Sequence, residues 1–208
     1  MTDTADFFDE MAPRYDSDLV ELGWDPVALL EDWPFVAPAG AAVLDAGCGT
    51  GAVLDHFAGA NRALAGFDVS PRMVHFARQR RPLRSGRIHV HSADRPWPFE
   101  DAAFDRVIAL AMFEFVRDLD VGLDELARVL RPNGRAIFTA EDVVDAHGIE
   151  REAHEHRYER IDLWRRTRDE VELCVPPGLT IERIERRPAY TVIERGFTCA
   201  YWVVEVSA

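Results

Sequence analysis

Three carboxylates and three glycines carry most of the chemistry legible in this chain. Asp45 stands two residues before the first glycine of the run Gly47, Cys48, Gly49, Thr50, Gly51, and Asp68 and Asp94 follow further along. Glycines spaced in this way allow a turn with positive φ and let a ligand approach the backbone without meeting a Cβ atom. Val43 and Leu44 supply an apolar strand before the turn. Ala52, Val53, Leu54 and Phe57 give one face of a helix after it, with the helix N-terminus pointing back at the turn. Two kinds of ligand suit this unit. Read as G-x-G-x-x-G/A, Gly47, Gly49 and Ala52 match a dinucleotide site, with Asp68 about twenty residues on as the ribose partner. Asp45, however, would oppose a dianionic pyrophosphate and would favour a cationic ligand carrying an ammonium and a sulfonium.

The nine residues from Val43 to Gly51, VLDAGCGTG, resemble motif I of the class I S-adenosylmethionine-dependent methyltransferases, of the small-molecule, type 11-like kind. The likeness runs from about Asp6 to Ala140. GFDVSPRMV is similar to the second family motif, RPWPFEDAAFD resembles the linker before strand four, and LARVLRPNGRAIFTA resembles the helix, Pro-x-Gly turn and fifth strand. The resemblance implies an α/β fold: a Rossmann-like, doubly wound, seven-stranded and mostly parallel sheet with an antiparallel last strand and helices on both faces. It implies S-adenosyl-L-methionine as cofactor. Backbone at Gly47 and Gly49 would meet the methionine moiety, Asp45 its ammonium, Asp68 the ribose and Asp94 the adenine amino group. Cys48, Val69, Arg95 and Leu110 would complete the cofactor contacts, and Trp97 or Phe99 would wall the adenine or plug the core.

The opening FFDEMAPRYD resembles the amphipathic segment that packs over the cofactor in such enzymes. Tyr15 would then cover the cofactor and Arg14 would pair with the methionine carboxylate; the other reading is a helix packed by Phe7, Phe8, Met11 and Tyr15. Glu114, in AMFEFV, stands where relatives often carry histidine. It is open between a general base, a group that positions a cationic substrate, and a solvent-facing turn acid. His154 is a candidate base or a residue of a solvated helix. Its spacing from His156 makes no metal pair, and Cys48, Cys174 and Cys199 form no CxxC, so no metal is expected.

Methyl transfer from a sulfonium is a direct in-line displacement, which explains why no Ser-His-Asp or Cys-His arrangement is needed. The acceptor is a small molecule by two arguments. The stretch after strand four, Ala109 to Phe113, lacks the Asn/Asp-Pro-Pro-aromatic tetrad of base-amine methylation. The chain also carries 37 acidic residues against 24 basic ones, all of them arginine, for a formal charge of -13. Such a surface repels polyanions, so nucleic acid is disfavoured as a partner. Two alternatives stay open: an NAD(P)-dependent oxidoreductase, and a non-catalytic S-adenosylmethionine-binding module.

The elements that must position these groups follow from the apolar periodicity. At 208 residues one domain is expected. It divides into a helical cap (1–40), a cofactor-binding core (41–140), a substrate or lid segment (141–178) and closing strands (179–208). In the cap, helices are expected over Asp6 to Asp16 and Asp25 to Trp33, neither of them core. In the core, strands are expected over Ala42–Ala46, Leu64–Phe67, Ile88–His91, Arg106–Leu110 and Arg135–Ala140, with Ser70 capping the helix that starts at Pro71 and another helix over Leu119–Leu130. A polar helix is expected from Glu150 to Leu173. Strands Thr180–Arg186 and Phe197–Val206 end the chain, the last one apolar enough to lie between neighbours. No apolar run reaches the length of a membrane span, and the first ten residues are acidic, so a cytoplasmic protein, monomeric or homodimeric and without membrane partners, is expected.

Overall fold

The computed structural model describes residues 4–33, 35–60, 62–80, 87–157, 161–193 and 196–208. Its sheet is built on the short apolar runs. β1 (Ala42–Ala46) is buried along its whole length, as a central parallel strand must be. β2 (Ala63–Asp68) and β3 (Ile88–Val90) lie to one side of it. β4 (Phe104–Ala109), β5 (Leu130–Glu141) and the closing pair β8 (Thr180–Val192) and β9 (Phe197–Ser207) lie to the other. The order is β3-β2-β1-β4-β5-β9-β8. Every pairing is parallel until β9, which runs antiparallel to both β5 and β8. The seven-stranded sheet and the inserted, antiparallel last strand are therefore as expected.

Side chains alternate along each strand and feed two cores, one on each face. Val43, Ile108, Ile137 and Val203 pack with α4 (Ala52–His56) and α5 (Pro71–Arg80) through Val53, Leu54, Val74 and Ala77. Leu44, Val107, Phe138 and Val204 pack on the opposite face with α6 (Leu119–Val129) and α7 (Arg168–Cys174) through Leu123, Leu126 and Val171.

The N-terminal region departs from expectation in two ways. It forms three helices, α1 (Thr4–Met11), α2 (Tyr15–Leu22) and α3 (Pro26–Asp32), because Pro13 cannot continue the first one and the chain turns there. It also contributes core: Trp24, Leu30 and Trp33 are buried in the first cluster, and the Trp33 indole donates to Glu205 Oε2 at 3.0 Å. The third difference is larger. Where a polar helix is expected, the chain forms a hairpin of β6 (His154–Arg157) and β7 (Ile161–Trp164), followed by α7. Ile161 and Leu163 bury their side chains while Asp162 and Trp164 are only half-buried, a period of two that overrides the helix propensity of the surrounding Glu and Arg. Tyr158 lies outside the described residues.

Candidate active site

The C-terminal ends of β1 to β4 converge on one open cleft, with about 690 Å3 of empty space when the solvent at its mouth is included. The glycine turn forms its floor. Gly47 and Gly49 hold φ of 71° and 50°, in the left-handed region that glycine tolerates. A Cβ atom on Gly47 would come within 2.8 Å of Met112 Cγ, so any larger residue would push against the opposite wall of the cleft. The turn is fastened to β2 because the Gly47 and Cys48 amides both donate to the Phe67 carbonyl at 2.9 Å.

Asp68 closes β2 and lines the cleft. Its Oδ2 accepts from the Gly49 amide and its Oδ1 from the Ser70 amide, each at 2.9 Å, which fixes the plane of the carboxyl group. Desolvation pushes its pKa up to about 6, although the two amides pull the other way. Ser70 caps α5 as expected, its Oγ accepting from the Met73 amide at 3.0 Å. Behind the turn, Asp45 is 3% exposed, and its Oδ2 has no hydrogen-bond partner among the described residues. Burial first, and the charge of Asp68 second, raise its pKa well above the ordinary value. A buried carboxylate oxygen lacking a partner beside a ligand cleft is a group that a cation would satisfy.

Around this floor the walls differ in chemistry. On the β2 and β3 side stand Asp68, Val69, His91, Ser92, Ala93 and Asp94. On the β4 side, Ala111, Met112, Phe115 and Val116 make an apolar wall, and Thr4, Phe8 and Tyr15 of the cap close the top. The site where a Gly49 Cβ would be lies 3.5 Å from Tyr15 Cε1, so Tyr15 rests directly over the glycine turn. Phe8 stands edge-on to Phe115 with centroids 5.1 Å apart, joining the cap to the β4 wall. Two carboxylates hold the cap down. Asp16 accepts from Thr50 Oγ1 at 2.6 Å and pairs with Arg80, while Asp9 accepts from Ser70 Oγ and from the Arg72 amide at 2.9 Å.

Of the residues expected from the sequence, Tyr15, Gly47, Gly49, Asp68, Val69 and Asp94 meet in the cleft, with Asp45 buried behind its floor. Cys48 and Leu110 are buried in the first core, and Arg95 is exposed; none of the three lines the cleft. Arg14 points to solvent and pairs with Asp18 at 3.0 Å. Trp97 is 2% exposed against Phe67, and Phe99 packs edge-on to Phe104, so both are core plugs that do not line the cleft.

The two candidates for catalysis also stand elsewhere. Glu114 is 1% exposed and turned inward, where Tyr201 Oη donates to its Oε1 at 2.6 Å, so it is not a solvent-facing turn acid. His154 stacks on Trp164 across the hairpin with centroids 3.9 Å apart and bonds Asp162. Neither lines the cleft. Conversely, Met112 and Phe115 line it without being signalled, because large apolar residues in a sequence read first as core, and Phe8, named only as helix packing within the covering segment, lines it too.

Residues 44–138 match the family model described as a methyltransferase domain. Among similar proteins, the demethylmenaquinone methyltransferase of Tropheryma whipplei (strain Twist) is 37% identical over 99 residues, 48% of this chain and 41% of that one. The O-methyltransferase cnsE of Penicillium expansum is 35% identical over 117 residues, 54% and 42% of the two chains. The chain thus spans only about half the length of the curated relatives it matches. Of solved structures, an S-adenosylmethionine-dependent methyltransferase from Mesorhizobium loti superposes with a TM-score of 0.68 at 16% identity, over 88% of this chain and 98% of that one. One from Aquifex aeolicus gives 0.63 at 20% identity, over 98% and 99%. Likeness at these identities speaks for the fold, and the family model for the segment it covers.

Proposed function

We propose that this chain, whose residues 44–138 match the methyltransferase domain model, transfers a methyl group from S-adenosylmethionine to a small-molecule acceptor at oxygen, nitrogen or carbon. The observation that carries the reading is the pairing of Asp68, oriented by two amides, with a glycine turn and the unsatisfied buried oxygen of Asp45. A dinucleotide's pyrophosphate would add negative charge beside that oxygen; an ammonium and a sulfonium would neutralise it.

The residues present fit the cofactor. Asp68 would accept both ribose hydroxyls, Asp94 the adenine amino group, and Asp45 the methionine ammonium, with the Gly47 and Gly49 backbone against the methionine and Tyr15 above it. When bound, the cofactor supplies an electrophilic methyl carbon on sulfur. The chain's own part is to hold that carbon in line with the acceptor and to keep water out, which the Phe8, Tyr15 and Phe115 rings do from the cap and the β4 wall. Asp68 and Asp94 would hold the nucleoside end against the β2 and β3 side, which would leave the β4 side to the acceptor. The division into cap, cofactor-binding core, substrate or lid segment and closing strands is part of this proposal.

Thermal unfolding tests it. S-adenosylhomocysteine at a hundredfold excess over its dissociation constant should stabilise the protein by roughly 2.7 kcal/mol, a melting shift of several degrees. NADH should give none, and Asp68→Ala should abolish the shift. A response to NADH alone would return the glycine turn to a dinucleotide. Binding of S-adenosylmethionine with no turnover of any acceptor would favour the non-catalytic module.

A further inference from the structure

The wall on the β4 side is a loop, residues 111–117, and it needs an anchor. Ala111 sits at φ 52°, which a residue with a Cβ atom adopts only when its surroundings hold it there. Two anchors come from the sheet: the Ala111 amide donates to Thr139 Oγ1 on β5 at 2.8 Å, and Tyr201 on β9 holds Glu114 from the core. Phe113 is packed inward against Phe138 and Gly122, where a Cβ atom would come within 2.6 Å of its ring. With Phe113 and Glu114 turned in, Met112, Phe115 and Val116 are turned out into the cleft.

The third anchor comes from the segment after β7. Arg166, just after β7, is 7% exposed, and among the described residues its guanidinium donates to backbone carbonyls. One terminal nitrogen reaches Phe113 O at 3.3 Å and Trp164 O at 2.8 Å, and the other reaches Val116 O at 2.6 Å and Arg117 O at 2.9 Å. Arg166 is itself fixed, because its amide donates to Glu141 O at 2.8 Å and its carbonyl accepts from the Trp202 indole at 3.2 Å. A planar fork of donors can bridge several carbonyls at once, which a lysine ammonium on a flexible stem cannot reproduce. Burying a cation on neutral carbonyls is costly, so its presence here calls for a reason.

We propose that Arg166 is a positioning residue for methyl transfer: its carbonyl cage sets the 111–117 loop so that Met112, Phe115 and Val116 stand against the reacting side of the cleft. The inference rests on the cofactor reading above. Arg166 touches no ligand and acts through the loop. It links the hairpin region, whose described residues do not line the cleft, to the wall the acceptor meets.

The test compares Arg166→Lys and Arg166→Met with wild type, using S-adenosylhomocysteine and sinefungin as probes. The first lacks a group at the methyl position; the second carries an amine-bearing carbon there and so feels the β4 wall. Both variants should bind S-adenosylhomocysteine within about threefold of wild type, because the contacts proposed for it come from β1 to β3 and from Tyr15, outside the 111–117 loop. The ratio of sinefungin to S-adenosylhomocysteine affinity should change by about tenfold. Amide hydrogen exchange should speed up at 112–117 and not along β1, β2 or β5. Lysine should fail to rescue. Equal losses for both probes, exchange raised throughout the sheet, or a wild-type-like Lys variant would overturn the proposal. Should the Arg166 variants not fold, Phe115→Ala must reproduce the ratio change with the fold intact, and an unchanged ratio there would overturn it. If the wild type binds neither probe, the cofactor reading fails and the role in transfer fails with it. Exchange at 112–117, which needs no ligand, decides the anchoring separately.

Discussion

At the scale of single residues, the site is legible wherever the backbone itself is the functional group. Gly47 and Gly49 are named by their spacing because few other residues can hold their φ angles, and Asp68 because a strand end offers one place for a ribose acceptor. Glu114 was not legible: its direction is decided by Tyr201, 87 residues later in the chain. Asp68 also carries a pH prediction. Its folded carboxyl titrates near 6, above the ordinary 3.8. A raised folded pKa means the folded chain holds the proton more tightly than the unfolded one. This group's contribution to the stability of the free protein is therefore full below the ordinary value and falls as pH rises from about 4 to about 6. In the proposed site ribose hydroxyls would donate to the ionised form, so ligand binding would run the opposite way and strengthen over the same interval. We expect the melting shift produced by a fixed S-adenosylhomocysteine concentration to grow between about pH 5 and about pH 7. Asp68→Asn should bind roughly tenfold or more weakly, with that pH dependence gone. A wild-type shift equal at both pH values would show that Asp68 does not contact the ligand.

At the scale of elements, the buried cores of the central strands are legible, while the full lengths of β5 and β8 and the β6 to β7 hairpin are not. β1 was placed to the residue because a fully buried parallel strand is a continuous apolar run with sharp ends at Gly40 and Gly47. The β6 to β7 hairpin was missed because its signal is only the alternation of Ile161 and Leu163, set among Glu and Arg residues of high helix propensity. The cap illustrates a third case, in which the helices are legible and their contacts are not. Asp9 and Asp16 look like ordinary surface acids in the sequence, yet each accepts a hydroxyl hydrogen bond from the segments around the glycine turn and α5. These bonds must break if α1 and α2 lift to admit a ligand beneath Tyr15. Thr50→Val removes one of them while keeping the side-chain volume close, a loss of about 1 kcal/mol. The dissociation rate of S-adenosylhomocysteine should rise about fivefold with little change in the association rate, measured by displacement in stopped flow. Slower association with unchanged dissociation would show that the cap does not gate the cleft.

For the whole molecule, the governing quantity is charge. The formal excess is -13, and much of the arginine that could offset it locally is already committed. Arg165 pairs with Glu141 at 2.6 Å inside the core, Arg186 with Asp142, Arg128 with Glu125 and Asp101, and Arg131 with Asp105, while Arg166 is spent on carbonyls. The cleft concentrates what is left: Asp45, Asp68 and Asp94 stand in or behind one wall, and among the described residues no arginine lines the cleft. The potential there should be negative, and a negative cleft discriminates between two ligands that differ by one charge. S-adenosylmethionine carries a net positive charge through its sulfonium, whereas S-adenosylhomocysteine, with a neutral thioether, carries none. Raising salt from about 20 mM to about 300 mM shortens the Debye length from roughly 20 Å to under 8 Å, which screens the far acids but not the buried ones. S-adenosylmethionine should therefore lose roughly two- to fivefold in affinity while S-adenosylhomocysteine changes by much less. Calorimetric titration of both ligands at the two salt concentrations reads this directly. If both affinities move together, the discrimination is made within contact distance by Asp45 alone; if neither moves, the surface acids are too far from the cleft to matter, and the acidic balance serves solubility only.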